Sequence, residues 1–275
     1  MIRKVFSFQN DKKDFSGQEN IFVLSFSEKG FLLINVSDSE IVKIDDFVFE
    51  PSGADINRFN NEFLAFLSDY ASKWSVNKRI AFFNAISYIA VPAVLKSEEQ
   101  KQLLSSFVLD SEQYHMLETE NLGGELNPVF LMYRHNQWQE DFMSQLQWDI
   151  EKRTDIAHFT YNVLNNSLVG DGIFVKVVDS YFDVIVVSGS KLKLINRFSF
   201  ASSKDFCYYL IGALKSTALD SFSQTVYLAG DILPGSEIVQ LISKYVAQIK
   251  YLAPSGIHVP ANIPLHRYYN QLSGL

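Results

Sequence analysis

The residues best able to do chemistry in this chain are gathered in one run, Lys176-Val177-Val178-Asp179-Ser180-Tyr181-Phe182-Asp183. Lys176 could neutralise phosphate charge, and Asp179 and Asp183 are of the type that ligates magnesium. The run contains no glycine. Phosphate is cradled by backbone N–H groups at close approach, and without glycine the strands keep those donors in sheet pairing. A lysine cannot ligate a metal ion that carries a triphosphate, and the aromatic pair Tyr181-Phe182 would crowd the phosphates. A second candidate turn, Ser25-Phe26-Ser27-Glu28-Lys29-Gly30, offers Glu28 and Gly30, the glycine being able to take a positive φ. A third glycine-containing turn is Ala229-Gly230-Asp231 before Pro234-Gly235-Ser236, where a glycine serves at least to turn a strand into a helix.

Other chemistries leave no trace. There is no Gly-x-x-x-x-Gly-Lys phosphate loop, no Gly-x-Ser-x-Gly elbow and no His-Glu-x-x-His pair. His115, His135, His158, His258 and His266 are scattered, and none pairs with another at metal-ligand spacing, so each reads as a structural or surface residue. Cys207, the lone cysteine, can form neither an intramolecular disulfide nor a cysteine cluster and reads as a small buried apolar residue. Asp45-Asp46 and Glu98-Glu99 read as solvated faces.

The elements that must position these turns follow from periodicity. Ile173–Val178, Phe182–Val187 and Leu192–Phe198 read as three strands. Ser202-Ser203 caps a helix whose Phe206, Tyr209, Leu210, Ala213 and Leu214 share one face. Val226–Ala229 is a short buried strand, and Ser236 caps a helix running through Ile238, Leu241, Ile242 and Tyr245. The same order precedes it. Ile21–Phe26, Phe31–Val36 and Ile41–Phe49 are strands, Asp55 starts a helix carrying Phe59, Phe63, Phe66, Leu67 and Tyr70, Arg79–Val91 is a strand, and Glu98–Phe107 is helical. Between the two units, Val129–Tyr133 reads as a strand, Trp138–Trp148 as an amphipathic helix whose two tryptophans share a face, and Ile156–Phe159 as a short strand leading into a helix. Residues 9–14 read as a surface loop, and the proline-containing tail from Tyr251 to Leu275 as an irregular strap anchored by Tyr268-Tyr269. A meander followed by alternating helix and strand, occurring twice, implies two mixed sheets flanked by helices: an α/β chain of two tandem lobes, residues 1–168 and 169–275, facing a cleft.

With 275 residues, 47% of them hydrophobic and 20% charged, the chain can bury large cores and is not of disordered composition. A net charge of -7 argues against a nucleic-acid surface. The start, Met1-Ile2-Arg3-Lys4, opens no signal-type apolar region, and no apolar run reaches membrane-span length, which leads us to expect a cytoplasmic protein.

The repeated order, the Tyr181-Phe182-Asp183 hairpin, Leu192–Phe200, the strand into Leu228-Ala229-Gly230-Asp231 and the first meander together resemble the actin, sugar-kinase and Hsp70 superfold of ribonuclease H-like lobes. Within it the chain is similar to an uncharacterised bacterial family of unknown function, with pilus-assembly and secretion-platform proteins as the nearest functional analogues. The resemblance implies an Asp-x-Gly-x-x-x-Thr phosphate loop in each lobe, and here the chain departs from it. Lys176 stands where the metal-facing acid belongs and Val178 at the glycine, with Asp179 or Ser180 as partial substitutes, and the Glu28–Gly30 turn lacks a hydroxyl at the required spacing. The expectation is a non-catalytic interaction or assembly protein with a protein partner and no cofactor. The alternative is an ATP-binding protein or slow ATPase using magnesium with Glu28, Gly30, Lys176, Asp179, Ser180, Asp183, Gly230 and Asp231.

Overall fold

Each apolar meander forms as its alternation predicts, and each seeds a mixed sheet. The computed structural model describes residues 2–11, 18–27, 29–49, 56–92, 95, 97, 99–100, 103–104, 117–122, 129–135, 137–146, 148–165, 171–189, 191–217, 219–258 and 263–275. Its elements in chain order are β1 (Ile2–Gln9), β2 (Asn20–Phe26), β3 (Gly30–Ser37), β4 (Glu40–Phe49), α1 (Ile56–Ser72), β5 (Lys78–Phe83), β6 (Ala85–Pro92), β7 (Leu117–Asn121) and β8 (Val129–His135). There follow α2 (Gln137–Gln145), β9 (Glu151–Thr154), α3 (Asp155–Asn165), β10 (Gly172–Val178), β11 (Tyr181–Ser188), β12 (Lys191–Ser199), α4 (Ser203–Ser216), β13 (Thr225–Gly230), α5 (Glu237–Ile242), β14 (Gln248–Tyr251) and α6 (Tyr269–Leu272). The expected helix from Glu98 to Phe107 falls mostly outside the described residues, of which 99–100 and 103–104 are helical.

The first sheet runs β1-β4-β3-β2-β5-β9 and the second β12-β11-β10-β13-β14. Leaving β1 aside, the two orders are the same, with antiparallel pairs inside each meander and parallel pairs beyond it. Even a register slip recurs, between Asn35 and Val36 in one sheet and between Val186 and Val187 in the other. Asp38 and Ser39, both at positive φ (47° and 63°), make the tight β3–β4 turn whose twist suits a hairpin.

Each sheet buries one face under its own helices. Phe22, Phe26, Phe31 and Phe47 pack with Phe63 and Leu67 of α1 and Phe142 of α2, and the rings of Phe63 and Phe142 lie 4.5 Å apart. On the second sheet Val175, Val177, Phe182 and Val184 pack under Phe206, Leu210 and Leu214 of α4 and Ile242 of α5. The opposite faces are covered by exchange. Helix α3, from the end of the first unit, places Ile156, Phe159 and Val163 against Phe174, Ile185 and Val187 of the second sheet. The chain end returns Ile263, Tyr268 and Leu272 to Val23, Ile34 and Phe82 of the first. Tyr268 and Tyr269 anchor this strap as expected, one in each core.

Several expectations are corrected. The stretch Arg79–Val91 is two strands: β5 stays in the first sheet, while β6 turns away after Asn84 into a separate sheet ordered β6-β8-β7. Ile156–Phe159 is helical, because Ile156, Phe159 and Val163 repeat at helical spacing behind Asp155, an acid in the first turn. The strand there is the preceding Glu151–Thr154, too polar to show as an apolar run. Residues 2–9 form an edge strand that takes in Gln9, the first residue of the expected loop, and residues 12–14 of that loop lie outside the described residues. Helix α2 ends at Gln145, so Trp148 lies beyond it, yet both tryptophans reach one core, Trp138 against Phe26 and Trp148 against Phe22. The last long helix stops at Ile242, short of the exposed Tyr245. Tyr209 is partly exposed, stacked at 5.5 Å on Phe198 at the margin of the core rather than within it.

Leu210 is fully buried beneath α4. Leu210→Ala should therefore destabilise the protein by about 2–5 kcal/mol through lost burial and the cavity left behind. Chemical denaturation measures this, and a change within about 0.5 kcal/mol would place Leu210 outside the core.

Candidate functional site

The two sheets face each other across a cleft of about 220 Å³. Its walls come from the ends of β2 and β4, the turn after β10, the turn after β13 and the C-terminal strap, including Ser25, Lys29, Asp46, Lys176, Asp179, Gly230, Asp231 and Arg267. Of the residues singled out from sequence, Lys176, Asp179, Gly230 and Asp231 thus converge, while Gly30 and Asp183 do not line the cleft. Ser180 is exposed in the β10–β11 turn and does not line the cleft, and Glu28 lies outside the described residues.

At the floor of the cleft lies a network of buried charge. Lys176, 3% exposed, donates to the Asp155 carboxylate at the start of α3 and stands 3.6 Å from Asp183. Asp183 is fully buried, and Arg197 of β12 grips it with two hydrogen bonds, Nε to Oδ1 at 2.7 Å and Nη2 to Oδ2 at 3.0 Å. The Tyr88 hydroxyl of β6 donates to the same Asp183 at 2.9 Å, and Arg197 Nη1 donates to the Ala85 carbonyl at 2.5 Å. Tyr181 donates to Asn84 Oδ1 at 2.9 Å, with the Arg197 guanidinium 3.9 Å above its ring. Asn270 Nδ2 closes the network on Asp155, its carbonyl at 2.9 Å and its carboxylate. Burial alone would lift the Asp183 carboxyl, but Arg197 and Lys176 outweigh it and hold the group below the ordinary carboxylate range.

At the mouth a second cation is shared. Arg267 of the strap reaches Asp46 of β4 at 2.9 Å and Asp231 after β13 at 2.9 Å, joining the two sheets. Both carboxyls are held above their usual range, first by burial and then by repulsion from neighbouring acids, Asp179 among them, which Arg267 only partly offsets. Asp179, at φ 38°, lies 3.7 Å from Lys29 across the cleft.

The glycines act sterically. Gly230 has φ 84°, and a Cβ there would fall 2.1 Å from the Val177 carbonyl oxygen, so only glycine lets β13 end so close to β10. Gly30 is not at positive φ, contrary to expectation. It is required because a Cβ would meet the Phe47 carbonyl oxygen at 1.9 Å. The turn donors near both are engaged internally: Asp231 N–H donates to Val177 O, Ile232 N–H to Gly230 O and Ser27 N–H to Gly30 O.

Sequence reading missed Asp155, Arg197, Tyr88, Asn270 and Arg267. Arg197 alone left a signal, a cation at an inward position of a half-buried strand; the others come from segments brought together only by folding. Asp45 was read as solvated and is fully buried, where it accepts from Ser7 at 2.5 Å and Tyr70 at 2.9 Å and pairs with Lys4 at 2.8 Å. Asp46, read likewise, is tied to Arg267. Asp45 has one partner near it in sequence, Lys43 at 3.3 Å, while its other partners and Arg267 of Asp46 lie on distant segments. Among the described residues no group of three or more His, Cys, Asp and Glu side chains could hold a metal ion, and no helix is long and apolar enough to cross a membrane.

Two repeated mixed sheets, crossed by exchanged segments and facing one cleft, make this a protein of the actin-like ATPase fold. It is similar in structure to a Bacteroides thetaiotaomicron protein with that fold and unknown function, at TM-score 0.64 and 14% identity, over 87% of this chain and 93% of that one. It is also similar to a chain of the PilM–PilN type IV pilus biogenesis complex, at TM-score 0.57 and 10% identity, over 92% of this chain and 96% of that one. The chain belongs to the family described as "Protein of unknown function (DUF3822)", which matches residues 16–249. No curated protein matches it.

Removing one member of a buried ion pair strands the other. Arg197→Met should destabilise the protein by about 3–5 kcal/mol in urea denaturation, and adding Asp183→Leu should recover part of that loss. A negligible effect of the single change would show that the pair is solvated.

His158 of α3 gives a pH dependence. Burial first, then Arg153, pushes its imidazole down to about 4, against the hydrogen bond to Ser273 O and the acids Asp155 and Glu151. The unfolded chain takes up this proton near pH 6.5 and the folded one does not. The associated stability is therefore complete above about pH 6.5 and falls away toward pH 4, by on the order of 3 kcal/mol. Denaturation midpoints across that window should fall less steeply in His158→Gln, and an unchanged slope would refute the assignment.

Proposed function

We propose that this chain is a non-catalytic interaction or assembly protein, an actin-like fold whose phosphate loops are degenerate. One observation carries the reading: Lys176, the cation nearest the first-choice phosphate position, is held between Asp155 and Asp183. Displacing it toward a phosphate would leave two buried carboxylates short of their partner. The remaining cations of the wall are engaged as well, Arg267 by Asp46 and Asp231 and Lys29 by Asp179.

We read the described residues as a poor fit for magnesium triphosphate on three observations. Three turn amides, those of Ser27, Asp231 and Ile232, are spent on the carbonyls of Gly30, Val177 and Gly230. The lining sets Asp46, Asp155, Asp179 and Asp231 against Lys29, Lys176 and Arg267, an acidic balance facing an anion. A cleft of about 220 Å³ is also smaller than the roughly 300–1,000 Å³ of ordinary ligand pockets. A protein partner is the consistent alternative use of the fold, and one solved structure of similar fold is itself a protein complex, that of PilM with PilN. We place the protein in the cytoplasm on the same reading.

The second reading, ATP binding or slow hydrolysis, draws on the positive-φ turn at Gly230 beside Asp231. Calorimetric titration with ATP and magnesium, with a phosphate-release assay, separates the two. We expect no hydrolysis and at best weak binding. Tight magnesium-dependent binding that Asp179→Ala abolishes in a folded protein would establish the second reading instead; Asp179 is the suitable probe because its turn is exposed.

A further inference from the structure

The two sheets differ at one edge. In the first, β4 is not the last strand, because β1 pairs along it antiparallel from Ile2↔Phe49 to Gln9↔Lys43. In the second, the corresponding strand β12 is the last, and among the described residues nothing pairs with its outer side. The shared register slip aligns the two. The first regular pair after it is Asn35↔Lys43 in one sheet and Val186↔Leu194 in the other, so Lys43 corresponds to Leu194 and Phe47 to Phe198. Among the described residues, the stretch that β1 covers on β4 therefore has no paired strand on β12, from Leu194 to Ser199.

We propose that this open edge is a strand-addition site for an extended acidic segment of a protein partner. An unpaired strand edge presents a row of backbone donors and acceptors that another strand can complete. The chain itself demonstrates the geometry, since β1 does this to the equivalent strand. It also demonstrates the chemistry: β1 brings Lys4 onto Asp45, a basic strand on an acidic one. At β12 the sign is reversed. Between residues 191 and 215 lie Lys191, Lys193, Arg197, Lys204 and Lys215 against the single acid Asp205, in a chain of net charge -7. Arg197 is spent on Asp183, while all four lysines are exposed and without an ion-pair partner among the described residues. Beside the edge stands an aromatic shelf, Tyr209 stacked on Phe198 and Tyr208 at 75% exposure against it, able to seat one apolar side chain of the added strand. A second copy of the chain is disfavoured as the occupant, because pairing β12 with β12 would bring lysine to lysine. The inference concerns a surface away from the cleft, so it stands whether or not nucleotide binds.

The test selects random dodecapeptides, displayed as a library, on the immobilised full chain. Enriched sequences should be acidic with alternating apolar residues, and their binding should drop about tenfold or more with Lys191→Glu/Lys193→Glu and with rising salt. Hydrogen exchange of the complex should show new protection in residues 194–199. No enrichment, enriched peptides that are not acidic, equal binding by the double variant, or protection confined to the cleft would each overturn the proposal. So would self-association of the free protein that protects the same strand.

Discussion

The interaction on which this architecture depends is the buried pairing of Asp183 with Arg197 and of Lys176 with Asp155. Charges withdrawn from water are costly unless each finds a counter-charge and its remaining hydrogen bonds. Here the counter-charges and bonds are drawn from five places: β6, β10, β11, β12 and α3, with Asn270 of the strap adding a sixth. The Asp183–Arg197 pair forms within the second sheet, whereas the contacts of Lys176 with Asp155 and of Asp183 with Tyr88 require the two halves together. The network therefore ties α3 and β6 to the second sheet, and it occupies the floor of the cleft while doing so.

The exchange of covering segments works in the same direction. Helix α3 covers the second sheet and the strap covers the first, so neither inner face is protected by its own half alone. Apolar burial and ion pairing thus converge on one interface, with Arg267 as a further tie at its mouth. Such an interface resembles a shared core more than a hinge.

The internal repeat explains what is alike in the halves, and its departures locate what is particular to this chain. Ser25 and Lys176 occupy inner-face positions near the ends of corresponding strands, yet one is a small hydroxyl bonded to Gln271 and the other a buried cation. The edge of the first sheet is covered by β1, and the edge of the second is not. The helices over one sheet bring a dense set of phenylalanines, and those over the other mainly aliphatic residues.

From the sequence alone, both meanders, the cap at Ser202, the strand into Gly230 and the two-fold order were legible, because alternation and capping are local and Asp205 N–H does donate to Ser202 Oγ. The convergence of Lys176, Asp179 and Asp231 on one cleft was legible too, through the order of elements. The break at Asn84 was not, since a long apolar run carries no mark of which sheet each part will join. Nor was the helix at Ile156, where a short apolar run is compatible with either period. What only the tertiary structure decided is the fate of the charges. Whether Lys176 faces a phosphate or a carboxylate, and whether Asp45 meets water or Tyr70, depends on partners distant in sequence, and no local pattern encodes them.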